Sequence, residues 1–125
     1  MRLGRQPMTS DPTTIALKAK TQNEKDEMAI TVVSRWKGKH EDALPLAREV
    51  APLVKKHGAT AYRLGQCYSG PDTGQLFTVV MYPDWATYGR AMHALSEDAS
   101  YRRILADASK IAELQDRSVI VFQDL

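Results

Sequence analysis

Cysteine occurs once in this 125-residue chain, at Cys67, so an internal disulfide is excluded and no thiol cluster can hold a metal. Histidine is almost as scarce. His40, His57 and His93 stand far apart without ligand spacing, and no metal centre or other cofactor is expected. No apolar run approaches the roughly 20 residues of a membrane span, and residues 1–27 lack the apolar stretch of a signal peptide. An excess of one charge is missing too: 17 basic against 15 acidic residues leave +2. The basic groups Lys37-Gly38-Lys39-His40, Lys55-Lys56-His57 and Arg102-Arg103 are short and scattered, whereas a phosphate-reading surface gathers its cations on one face. Neither nucleic acid nor membrane is therefore an expected partner, and a cytoplasmic location is the expectation. Gly70 and Gly74 fit no phosphate-cradling pattern and read as turn residues.

What is present is the composition of an ordinary globular protein, 43% apolar and 26% charged, with length for one core. Residues 1–27 stand apart as a flexible or arm-like extension. They carry Gly4, Pro7 and Pro12 and then a charged run, and their few apolar residues cannot offset the entropy of ordering. A short helix after Asp11-Pro12 is the rival reading. Residues 28–125 form the folded domain.

Within that domain two hydrophobic periods alternate. Residues 29–36 are rich in β-branched side chains and read as a strand. Residues 41–57 place Leu44, Ala47, Val50, Ala51 and Val54 at helical spacing, with Pro52 an unexpected interior proline. Residues 60–68 and 75–82 read as strands joined across the turn cluster 69–74. Pro83-Asp84 opens a helix carrying Trp85, Tyr88, Met92 and Leu95, and Ser96-Glu97-Asp98 breaks it. A further helix aligns Tyr101, Ile104, Leu105, Ala108, Ile111 and Ala112, and residues 117–124 make the last strand. The order predicts a ferredoxin-like β-α-β-β-α-β fold of the α+β class, a four-stranded antiparallel sheet with its second helix split.

Two helices cover only one face of such a sheet. Ile30, Val32, Ser34 and Trp36 share one face of the first strand, Ala29, Thr31, Val33 and Arg35 the other. The third strand divides into Phe77, Val79 and Met81 against Leu76, Thr78, Val80 and Tyr82. Both faces are apolar, so a homodimer through the open sheet face is expected.

Candidate chemistry is sparse. His93 is the candidate proton carrier, because an imidazole titrates near neutral pH. Trp36, Tyr62, Trp85 and Tyr88 could line a pocket for a small hydrophobic or aromatic ligand and offer it polar tips. Arg63 and Arg35 could neutralise an anion. Tyr62 and Tyr68 are expected on one strand face, and Cys67 as a small buried side chain in mid-strand. The same aromatics serve equally as core and interface packing.

Several stretches carry a family likeness. Met81-Tyr82-Pro83-Asp84-Trp85-Ala86-Thr87-Tyr88, then Met92-His93-Ala94-Leu95 and Ser100-Tyr101-Arg102-Arg103-Ile104-Leu105, resemble the strand-to-helix passage of dimeric α/β-barrel proteins. Arg35-Trp36-Lys37-Gly38-Lys39 and Val119-Ile120-Val121-Phe122 fit the same pattern, so the likeness runs over about residues 29–125. That superfamily includes small cofactor-free monooxygenases related to antibiotic biosynthesis, isomerases, haem-degrading and haem-binding proteins, and modules without known activity. The resemblance implies a dimeric α/β barrel binding a small molecule, with a monooxygenase- or isomerase-type enzyme as one reading. A non-catalytic binding or assembly module is the alternative, and a haem-binding protein a second. The haem-degrading members use a histidine on the second helical segment, and the corresponding position here falls near Leu105.

Overall fold

The computed structural model describes residues 29–125. The expected extension over residues 1–27 lies outside the described residues. The chain runs β1 (Ile30–Gly38), α1 (His40–Lys56), β2 (Ala61–Gln66), β3 (Leu76–Tyr82), α2 (Trp85–Ser96), α3 (Ala99–Ala108) and β4 (Ala112–Val121). The sheet order is β2-β3-β1-β4, with every neighbouring pair antiparallel. This is the expected ferredoxin-like α+β topology with a split second helix.

Alternation decides which side chains meet the helices. Ile30, Val32, Ser34 and Trp36 lie opposite Tyr82, Val80, Thr78 and Leu76. Together with Tyr62 and Leu64 of β2 they form the covered face. One buried cluster joins Ile30, Val32 and Tyr82 to Val54 of α1 and to Ala91 and Leu95 of α2. Full burial of a side chain such as Ile30 stabilises the fold by about 1.5–3 kcal/mol.

Helix α1 runs through both of its prolines. Pro45 and Pro52 are seven residues apart, two turns along one stripe, and both are exposed. Their missing donors leave the carbonyls of Glu41 and Arg48, residues on the same exposed stripe, where water can solvate them. Asp84 caps α2 by accepting from the Thr87 N–H at 2.7 Å, and Asp98 caps α3 by accepting from Tyr101 N–H at 3.0 Å. The second cap is what splits the helix: its extended backbone breaks the α2 ladder and its carboxylate starts a new one.

Three local expectations are corrected. The last strand starts at Ala112, not 117, and α3 ends at Ala108, so Ile111 and Ala112 belong to the turn and strand. The cause is pairing: Ala112 lies opposite Gly38, and β4 reaches that register by skipping Gln115 in a bulge beside Arg35 and Trp36. Strand β2 ends at Gln66, so Cys67 lies past it, although its N–H still donates to Gln75 C=O. Tyr68 leaves the strand face altogether and is 95% exposed.

Candidate functional site: a cavity between sheet and helices

Two adjoining cavities lie between the covered sheet face and the helices. The larger, about 140 Å³, is bounded by Ser34 and Arg117 at one end, and Tyr88 and Tyr101 face it from the helices. The smaller, about 70 Å³, is predominantly apolar and runs toward Leu46, Leu64 and Ile111. Trp36, Tyr62, Thr78 and Leu105 border both. An apolar cavity of roughly 150 Å³ accommodates a benzene ring, so the larger chamber alone has room for one aromatic ring.

Two hydrogen bonds hold polar groups of this site. Trp36 Nε1 donates to Thr78 Oγ1 at 3.1 Å across the β1–β3 pair, which orients the indole at the boundary of the two chambers. Arg117 Nε donates to Ser34 Oγ at 2.8 Å from the neighbouring strand. Burial pushes the Tyr62 hydroxyl up to about 12, with Tyr101 adding to the effect. Tyr82 is likewise raised by burial to about 12. Burial also raises Tyr101, while the Arg117 cation acts in the opposite direction. At neutral pH these hydroxyls are therefore protonated and able to donate hydrogen bonds.

The expected site residues divide. Trp36, Tyr62 and Tyr88 come together on the cavity. Trp85 stands one contact further out: it packs edge-on against Tyr88 at 6.0 Å, Tyr88 packs against Tyr82 at 5.6 Å, and Trp85 itself is 53% exposed. His93 is set apart, its side chain 76% exposed and its Nε2 3.5 Å from Glu97 one turn on. Arg63 is exposed and pairs in register with Val79, on the open face of the sheet. Arg35 is on that face too, tied to Asp116, Asp72 and Gln75. Ser34, Tyr101 and Arg117 complete the polar end and were not singled out from sequence. The signal was present in the alternation, since Ser34 shares a face with Val32 and Trp36, and Arg117 with Val119 and Val121.

The lining contains no histidine, cysteine or carboxylate. It can hold a planar apolar body, donate hydrogen bonds and present one cation, but it offers no side chain that ordinarily titrates near neutral pH as a base. It also does not fit a haem iron: Leu105 borders the cavity where the resemblance places a histidine, and His93 faces Glu97 at the surface. Among the described residues no group of three or more histidine, cysteine, aspartate or glutamate side chains could hold a metal ion.

Comparison with known proteins places the fold. SnoaB, a cofactor-independent oxygenase from Streptomyces nogalater, is similar over 78% of this chain and 96% of its own, at 10% identity and a TM-score of 0.60. An antibiotic biosynthesis monooxygenase is similar over 77% and 98%, at 20% identity and a TM-score of 0.51. A nipsnap family protein of unknown function from Agrobacterium tumefaciens is similar over 78% and 90%, at 10% identity and a TM-score of 0.59. The chain thus has the ferredoxin-like fold of antibiotic biosynthesis monooxygenase-type small proteins. It belongs to the family described as a domain of unknown function, DUF6854, whose model matches residues 17–121. No curated protein matches it. Among the described residues no helix is long and apolar enough to cross a membrane.

Proposed function

We propose that this protein binds a small planar hydrophobic compound between its sheet and helices, and that two copies pair through the open sheet face. The observation that carries the reading is the cavity, where an apolar wall bordered by Trp36 and Tyr62 meets the polar group of Ser34, Tyr101 and Arg117. An apolar pocket with a few convergent polar groups is the usual form of a small-molecule site. The oxygenase neighbours support a cofactor-free oxygenase-type reaction as the finer reading, but kinship of fold is a weak guide to chemistry. Because the lining has no group poised as a base, a binding role is favoured over acid–base catalysis by the protein itself. Any reaction here would rely on the protein to exclude water and orient the compound.

Calorimetric titration with 2-naphthalenemethanol, a neutral bicyclic probe, tests the reading. At about 0.5 kcal/mol per non-hydrogen atom, the expected Kd is on the order of 10–100 μM. Leu105→Trp, at a position 40% exposed yet bordering both chambers, fills the cavity from its rim and weakens binding at least about tenfold. Absence of binding to the wild-type protein, or unchanged binding to a folded Leu105→Trp variant, would overturn the proposal.

A further inference from the structure

A cation without a carboxylate partner stands at the solvent-exposed edge of the cavity. Arg117 lies on the helix-facing side of β4, opposite Ser34 in the β1–β4 register, and borders the larger chamber. Its Nε is committed to Ser34 Oγ. That bond fixes the plane of the guanidinium and leaves both terminal nitrogens with no carboxylate among the described residues. Arg35 holds Asp116 and Asp72, and Arg103 holds Glu49 and Asp107, while Arg90 and Arg102, which bond Thr87 Oγ1 and the Ser96 carbonyl, do not line the cavity. Resting on the small-molecule reading above, we infer that the natural ligand is a planar organic carboxylate whose acid group is held by Arg117.

The geometry supports the anion and its class. A guanidinium with its two terminal nitrogens available matches the two oxygens of a carboxylate in a parallel pair of hydrogen bonds. Tyr101, protonated, borders the same chamber and can donate a further bond. The rest of the wall is mainly apolar, and Arg117 itself meets solvent at its edge. No acidic side chain lines the cavity to repel the ligand. One cation, without a second basic residue or a glycine-rich cradle, suits a singly charged carboxylate better than a phosphate dianion. The apolar chamber beyond Trp36 then receives the far end of the molecule.

The test compares 2-naphthoate with 2-naphthalenemethanol by calorimetry on the full chain. The carboxylate is expected to bind about 10- to 100-fold more tightly, the scale of a charge-assisted pair. Arg117→Met keeps most of the side-chain volume and removes the charge. It is expected to erase the difference between the two probes, so that naphthoate and the alcohol bind that variant with the same affinity. If that variant does not fold, Arg117→Lys is read instead, with the ratio of the two affinities reduced. Equal affinity of the two probes, or a preference for naphthoate that survives Arg117→Met, overturns this inference and leaves the binding reading standing. Binding of neither probe overturns both.

Discussion

Thr31 is 3% exposed, and its Oγ1 has no hydrogen-bond partner among the described residues. It lies in register between Met81 and Ile120, so the hydroxyl is held in apolar surroundings. A buried polar group without a partner costs about 1–3 kcal/mol. Thr31→Val, close to isosteric, is therefore expected to raise stability by about 1 kcal/mol in urea denaturation; a loss of stability would show that the hydroxyl has a partner. The tyrosines make a second residue-scale prediction. Tyr62 and Tyr82 have hydroxyls raised to about 12 by burial, above the value of about 10 they have when unfolded. A raised pKa favours the protonated form in the folded state. The stabilisation is complete below pH 10 and is lost as pH rises toward 12, because the unfolded chain releases these protons first. Stability measured between pH 9 and 12 should fall across that window, and Tyr82→Phe should shrink the slope. A flat profile would contradict the burial argument.

At the scale of elements, the tightest joint is the turn after α1. Gly58 has a φ of 111°, and a Cβ built there would meet Thr87 Cγ2 of α2 at 2.5 Å. Left-handed backbone costs a non-glycine residue roughly 1–2 kcal/mol, and overpacking adds about as much again. Gly58→Ala should destabilise the fold by about 2–4 kcal/mol in thermal or urea unfolding, and a neutral substitution would mean that α1 and α2 are not locked here. Beside this joint His57 Nε2 stands 3.7 Å from Asp98 Oδ2, linking the end of α1 to the cap of α3. The element order was legible because the hydrophobic period changes cleanly between strands and helices. The end of α3 was not, since Ile111 and Ala112 extend its apolar stripe past Ser109-Lys110, where no glycine or proline marks a stop. Only the β4 register, visible in three dimensions, assigns Ala112 to the strand and leaves Ile111 in the turn. The cavity was half legible for the same reason. Aromatic Trp36, Tyr62 and Tyr88 announce themselves by type, whereas Ser34 and Arg117 acquire meaning only when β1 and β4 are paired.

At the scale of the whole molecule, one sheet face is covered and the other is not. Val33, Val79 and Met81 border a shallow hollow on the open face beside Phe122, and Ile120 and Phe122 are 39% and 51% exposed there and at its rim. Exposed apolar surface of this kind marks an interface, which is why pairing of two copies belongs to the proposal. Ile120→Lys places a charge on that face and should convert a dimer to a monomer in sedimentation velocity; a monomeric wild-type protein would contradict the pairing. The cavity lies on the opposite side of the sheet, so these two halves of the account fail independently. The most direct test of the central claim is a two-dimensional NMR titration of the labelled protein with 2-naphthoate. Shifts are expected to concentrate at the backbone amides of Ser34, Thr78, Tyr101, Leu105 and Arg117, with the turn amides of Gly70 and Thr73, which line neither chamber, little changed. No saturable shifts, or shifts confined to amides remote from the cavity, would contradict it.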